Sequence, residues 1–562
     1  MKLIYFLWRW SRDIRRSRLI IFAVVAAGVC TGLFNVALLA LINAFLSAPG
    51  PPSTTQVASF IALCALLPLS RFVSESLLIR LSADTLYSLR TRMCRRMLST
   101  PLRFLEDLGV HRLLATLTDD IPVIGTALIT LPLLCMHGAV VAGCLVYLGW
   151  LSWTTLLGVL AFMGLGVVSY QLAVARALNH FRLGRAEWDS LFKHFRALTE
   201  GTKELKLHRK RREIFLSEQL EPAARRMRGH HVAGNMVYTA ARSWGQVLVF
   251  ILLGVIVLAR PSVFAADPRV LIGYTLTLLY MMTPVEVLLN ALPTLGRANV
   301  AARKVEELGL SLESKASERA EAGGPEARGF RQLELVGVTH SYYREGEDSN
   351  FTLGPVELAF RPGELVFLAG GNGSGKTTLA KLLTGLYAPE SGEIRLDGRP
   401  VTEENREQYR QLFSVVFSDF YLFESFIGLE SPGVDELASD YLKRLQLSHK
   451  VRVADGKLST TDLSQGQRKR LALLTAYLED RPFYVFDEWA ADQDPLFKEV
   501  FYLHLLPELK ARGKAVLVIS HDDWYYHVAD RIIKLDYGKI DHDGRLNPDA
   551  AAAVNAPLPI RP

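Results

Sequence analysis

A chain of 562 residues exceeds what one ordinary hydrophobic core organises and suits two or three domains. Half of it is apolar (50%), concentrated before about residue 295, which marks membrane spans and excludes a uniformly soluble globule. The formal charge of +7 lies largely in Arg and Lys between the apolar stretches, which reads as membrane topology and argues against nucleic-acid binding, and Cys30, Cys64, Cys94, Cys135 and Cys144 have no zinc or redox spacing.

The start, MKLIYFLWRWSRDIRRSR, has neither the short apolar core nor the cleavage site of a secretory signal; Tyr5, Trp8 and Trp10 suit a helix lying at the cytoplasmic lipid interface. Six spans follow, at about Leu19–Leu46, Val57–Ile79, Ile121–Leu148, Trp153–Val174, Trp244–Leu258 and Val270–Leu292, the fifth of them short. The loop SAPGPPSTTQ is uncharged and GWLSW is very short. The segments Leu81–Asp120 and Arg176–Arg242 are long and arginine-rich, so positive-inside bias places them, and both chain ends, in the cytoplasm. Apolar residues recurring among their charges predict helices prolonged beyond the bilayer, with tips around Phe104–Leu108 and Thr199–Leu205 reaching a partner domain.

Within or near the spans, Asn35, Asn43, His137, Gln171, Asn235 and Asn290 suit helix–helix hydrogen bonds and cargo contacts equally well. Arg71 and Glu75, four apart, are spaced to pair, and Glu286 is the remaining charge in a span. Residues 1–310 are therefore expected to form a membrane domain. The stretch 311–329, with falling hydrophobicity and a Gly-Gly-Pro, reads as a linker, and 330–562, where short β-type runs alternate with helical ones, reads as an α/β domain.

In that last domain the apolar run Leu365–Leu368 leads into GGNGSGKTT, and LAKLLTG follows. This strand–loop–helix context makes Gly370 to Thr378 a phosphate loop: glycines let main-chain amides wrap phosphates, Lys376 reaches the β and γ phosphates, and Thr377 offers an oxygen to Mg²⁺. Phe483–Phe486 predict a buried strand delivering Asp487 to Mg²⁺ and Glu488 to the attacking water. His521, after the apolar VLVIS, is placed to touch the γ phosphate and that water.

Together with LSQGQ at Leu463–Gln467, this set resembles the ABC transporter family along essentially the whole chain. The resemblance implies a type IV exporter architecture: an α-helical membrane domain of six transmembrane helices plus an α/β P-loop nucleotide-binding domain, with ATP and Mg²⁺ as cofactors. It implies ATP contacts from Asn372, Gly373, Ser374, Gly375, Lys376, Thr377 and Thr378, and from Ser464, Gly466 and Gln467 toward the nucleotide of an opposing domain. Tyr342 matches the aromatic that stacks on adenine, although a half-buried strand aromatic is its plain alternative, and Asp494 matches the residue linking the two sites. One loop and one signature per chain imply a homodimer in the bacterial inner membrane.

Three departures stand out. Ser418 occupies the place of the family's coupling glutamine, Gln465 stands where glycine is frequent, and Trp489 follows Glu488 where proline is common; only about 45 residues separate Ser418 from Leu463. With them, GGNGSGKTTLA, VVFSDFYLF, LSQGQRKRLALL and FDEWAADQDP are similar to the bacterial cyclic-peptide and siderophore-peptide exporters, those of microcins and pyoverdine precursors. Export of a peptide-like molecule is thus expected, with a lipid or drug flippase as the alternative.

Overall fold

A computed structural model describes residues 15–47, 51–258, 268–315, 329–344, 349–429 and 432–544. The expected interfacial helix at Tyr5–Trp10 and most of the expected linker lie outside these residues. The chain divides into two compact units, one of Met1–Arg92 with Leu114–Leu308, the other of Met93–Leu113 with Gly309–Pro562.

The first unit is helical. Its long elements are α1 (Arg15–Ser47), α2 (Thr54–Leu98), α4 (Ile121–Leu151), α5 (Trp153–Glu200), α7 (Glu221–Leu258) and α8 (Pro268–Lys315), with short α6 (Thr202–Leu207) at a turn, whereas short α3 (Leu102–Leu108) belongs to the second unit. Each long helix carries an apolar stretch long enough to cross a membrane. The 48 residues of α5 reach about 72 Å at 1.5 Å per residue, more than twice a hydrocarbon core, so the arginine-rich segments do prolong the spans. The expected fifth span is the end of α7, and α8 runs to Lys315, past the expected linker start at 311. GWLSW turns sharply because Ser152 caps α5, accepting from the Thr155 amide.

Three of the six polar side chains expected in or near the spans bond between helices, while Asn235 bonds within its own helix to the His231 carbonyl. Asn43 Nδ2 donates to Tyr147 at 2.8 Å, Tyr280 donates to Asn35 Oδ1 at 2.6 Å, and Tyr238 donates to Asn290 Oδ1 at 2.6 Å. The wholly buried Tyr274 donates to the carbonyls of Leu148 and Ser152, pinning α8 to the α4–α5 turn. Arg71 pairs with Glu75 at 2.8 Å, as their spacing predicts, and Glu286 pairs with Arg242 at 2.7 Å.

The second unit is α/β. Strands β1 (Leu333–Arg344), β2 (Ser349–Phe360), β4 (Ser391–Leu396) and β5 (Arg399–Pro400), with β3 (Leu365–Gly370) between β2 and β4 in the chain, are followed by β6 (Phe413–Val416). A small hairpin of β7 (Val453–Ala454) and β8 (Lys457–Leu458) precedes β9 (Phe483–Asp487), β10 (Ala515–Ile519), β11 (Arg531–Asp536) and β12 (Lys539–Gly544). Antiparallel β2-β1-β4-β5 forms one sheet; the other runs β12-β11-β3-β10-β9-β6, parallel throughout except for β12. FLAG-type and FYVFD-type runs are nearly all apolar because parallel central strands are covered on both faces.

Alternation along those strands feeds two cores. Leu365, Phe367, Tyr484, Phe486, Val516 and Val518 face one, and Val366, Leu368, Phe483, Val485, Leu517 and Ile519 face the other. Each such side chain removed from water contributes about 1.5–3 kcal/mol, so the sheet is a rigid platform for what its ends carry. The remaining helices used below are α9 (Lys376–Leu383), α10 (Val434–Arg444) and α11 (Gln465–Glu479).

Candidate functional site

Strand order fixes the site. Because β3, β10, β9 and β6 are parallel neighbours, their carboxyl ends align on one edge, where α/β sheets bind ligands. That edge receives the loop Gly370–Gly375 from β3, His521 from β10, Asp487 and Glu488 from β9, and Ser418 two residues beyond β6. Residues scattered over about 150 positions thereby meet within a few strand spacings of 4.8 Å.

The loop folds around its own lysine. Gly375, at φ 101°, starts α9 in the left-handed region, and a Cβ there would meet the Phe351 ring and Leu353 at 3.2 Å. Asn372 and Gly373 are exposed, whereas Ser374 and Lys376 are buried and Thr377 and Thr378 are half-buried. Lys376 Nζ donates to the carbonyls of Gly370 and Gly371 at 2.9 and 3.0 Å. Burial lowers its pKa, with the nearby carboxylates of Glu488 and Asp487 opposing the shift.

Thr377 Oγ1 donates to Asp487 Oδ2 at 2.9 Å, joining the loop to β9, and Ser418 Oγ sits at the long limit of 3.5 Å from the same oxygen. Asp487 is fully buried, and its Oδ1 has no hydrogen-bond partner. Burial raises its pKa, outweighing the Thr377 bond that lowers it, and Glu488 adds repulsion. A buried carboxylate oxygen left over beside a threonine hydroxyl suits a hard, oxygen-seeking cation such as Mg²⁺. His521 Nε2 lies 3.4 Å from Glu488 Oε1, both side chains partly open to solvent.

The signature is elsewhere. Ser464 precedes α11 as its N-cap, and its amide donates to Gln467 Oε1 at 3.4 Å. Gln493 Nε2 donates to the Gly466 carbonyl, and Asp494 caps the next short helix at Phe497 while pairing with Arg470. The cap bond, then Arg470, hold the Asp494 carboxyl below its usual range. Among the described contacts, none joins Ser464 or Gly466 to the phosphate loop of the same chain. Tyr342 lies on β1, in register with Phe351, whose ring packs at Gly375.

One further cluster was only partly legible. Within the second unit, α3 is held by Arg103, which donates to Glu390 at 2.7 Å and to the Ser341 carbonyl at 2.8 Å, and by Glu106, which accepts from Lys381 at 2.8 Å and from Tyr387. Phe104–Leu108 marks the tip in the sequence, but the charges that complement it come from Lys381 on α9 and from Glu390, almost three hundred positions away, and no local pattern announces them.

Both halves match known families of sequence. The model for the ABC transporter transmembrane region covers residues 18–206, and that for the ABC transporter covers residues 353–491. The ATP-binding protein SyrD of Pseudomonas syringae pv. syringae is 39% identical over 465 residues, 81% of this chain and 82% of that protein. The chain belongs to the ABC transporter family. An ATP-dependent lipid A-core flippase of Burkholderia pseudomallei (strain 1710b) is 27% identical over 508 residues, 87% and 83% of the two chains, and one of Alkalilimnicola ehrlichii is 30% identical over 297 residues, 50% and 48%. As an ABC transporter of half-transporter type, the chain is an ATPase that drives export across a membrane using ATP and Mg²⁺, in an assembly of more than one half. The six membrane-length helices among its described residues make it a multi-pass inner-membrane protein.

Proposed function

We propose that this ABC transporter exports a peptide-like cargo, a cyclic or modified peptide or a siderophore precursor, and works as a homodimer with two composite ATP sites. The observation that carries the catalytic half is the convergence of the Lys376 loop, Asp487, Glu488 and His521 on one sheet edge. Lys376 and the loop amides would hold the phosphates, with Asn372 to Thr378 lining them and Tyr342 flanking the adenine. Thr377 and Asp487 would hold Mg²⁺, which when bound offsets phosphate charge. Glu488 would polarise the attacking water, with His521 orienting it and the γ phosphate.

The dimer follows from counting. Ser464, Gly466 and Gln467 sit on a turn packed against 489–494 of their own chain, so a second chain is the natural source of the nucleotide they meet, with Asp494 linking the two sites. ATP closure must then favour one state of the dimer over the other, or binding would move nothing. Coupling to the membrane half would use α3, whose bonds to Ser341 and to Lys381 on α9 touch both the adenine-side strand and the phosphate-loop helix. These direct links fit the lack of a glutamine at Ser418.

Peptide cargo rests on the motif blocks GGNGSGKTTLA, VVFSDFYLF, LSQGQRKRLALL and FDEWAADQDP. A cavity of about 160 Å³ in the first unit, lined by apolar residues such as Phe162, Leu252 and Met281 together with Tyr170, Arg242 and Glu286, suits a molecule that is apolar over most of its surface. The lipid A-core flippases among its relatives favour lipid as the second reading. ATPase stimulation in nanodiscs separates the two: saturable stimulation by cyclic or siderophore-type peptides supports the first, and stimulation by an acylated glycolipid with no response to peptides refutes it.

A further inference from the structure

Lys469 has no part in the site described above, yet only 3% of it is exposed. A buried ammonium is costly unless its donors are all engaged, so its partners carry information. Its Nζ donates to the main-chain carbonyl of Glu488 at 2.9 Å and lies 2.7 Å from Asp492 Oδ2. The neighbouring bonds run the same way: Trp489 Nε1 donates to the Lys469 carbonyl at 2.8 Å, and Arg470 Nε donates to Gln493 Oε1 at 2.8 Å. Helix α11 is thus stitched to the turn 488–494.

That turn begins with an unusual residue. Glu488 has φ 50°, in the left-handed region that side-chain-bearing residues seldom adopt and that persists only where the surroundings impose it. Its amide donates to the Ile519 carbonyl at 3.0 Å, so β10 holds one side of the residue and Lys469 the other. Trp489, stacked 4.3 Å from Phe501 and fully buried, blocks the turn from relaxing into the core.

We propose that Lys469 is a positioning residue for hydrolysis: its bond to the Glu488 carbonyl fixes the left-handed backbone that aims the Glu488 carboxylate at the attacking water. Because Lys469 stands within two turns of Ser464 and Gly466, the helix that serves the partner's nucleotide also sets the base of its own site. The inference rests on the assignment of Glu488 as the base.

Lys469→Met keeps the length and packing of the stem, and Asp492, half-exposed, stays hydrated without its partner. In the full-length transporter, kcat for ATP should fall by roughly ten- to a hundredfold, the scale of a misplaced catalytic group, while KM for ATP and the thermal midpoint stay near wild type. Lys469→Arg, which keeps charge and donors, should recover most of the turnover. An unchanged kcat, or a loss of ATP affinity equal to the loss of kcat, would overturn the proposal. Should Lys469→Met fail to fold, Asp492→Asn replaces it: loosening Lys469 from its counter-charge should lower kcat less but at unchanged KM, and no change in kcat is the refuting result. Glu488→Gln, assayed in parallel, separates the failures. Normal turnover there removes the catalytic assignment itself; abolished turnover there with a fully active Lys469→Met removes only the positioning role.

Discussion

Gly466 is the residue where packing and nucleotide contact make different demands, and Gly466→Ala tells them apart. A Cβ at this position would stand 2.7 Å from the carbonyl oxygen of Asp492, about 0.7 Å inside ordinary contact at 3.4 Å. The obstacle is main chain, so no rotamer relieves it; either α11 or the turn 489–494 must shift. Overpacking of this kind costs about 1–3 kcal/mol. For a nucleotide domain of about 230 residues, roughly 2 °C per kcal/mol gives a fall of about 2–6 °C in its midpoint. Scanning calorimetry of the purified full chain without nucleotide measures it, the relevant transition being the one that ATP raises. A contact made only with a partner's phosphate would leave this nucleotide-free midpoint untouched. An unchanged midpoint with abolished turnover would therefore refute the packing argument and leave the phosphate contact as the reason for glycine.

Other outcomes follow from the same geometry. Glu488→Gln should keep ATP binding and lower turnover at least about a hundredfold, trapping a closed dimer; wild-type turnover would remove it as the base. Asp487, whose pKa burial raises, costs stability when ionised: the cost is absent below the ordinary value of 3.8 and grows as pH rises through the raised one. Mg²⁺ bound there offsets that cost and competes with the proton, so Mg²⁺-dependent nucleotide affinity should weaken on acidification from a pH above 3.8, and Asp487→Asn should abolish this dependence in a nucleotide-binding titration. Ser418→Gln, crowding an oxygen only 3.5 Å away, should lower cargo-stimulated turnover more than basal turnover; equal or better coupling would show that the glutamine is dispensable in this chain. A heterodimer of Lys376→Ala and Ser464→Ala chains should hold one well-formed site and one empty site, counted as nucleotide per dimer, whereas two equally damaged sites would contradict the cross-chain assignment.

Local chemistry made much of this protein legible in the sequence. Apolar runs of about 20 residues or more can be satisfied only by crossing helices, so the spans were readable. Gly-Gly-Asn-Gly-Ser-Gly-Lys between a strand and a helix reads as a phosphate cradle from its residues alone, and two-face burial left FYVF and AVLVI as uninterrupted apolar runs. Even Arg71 with Glu75 was readable, because four residues is one helical turn. What tertiary structure decided are the pairings between distant segments. Asn35 bonds Tyr280, Asn43 bonds Tyr147 and Asn290 bonds Tyr238, which sequence left equally open to cargo. Glu106 meets Lys381 across 275 positions, and Lys469 meets the carbonyl of Glu488. A lysine in a helix reads as a solvated charge until the fold buries it, and a main-chain carbonyl has no signature in any side chain. Such bonds depend on which helices and strands become neighbours, and that is a property of the whole chain rather than of any window of it.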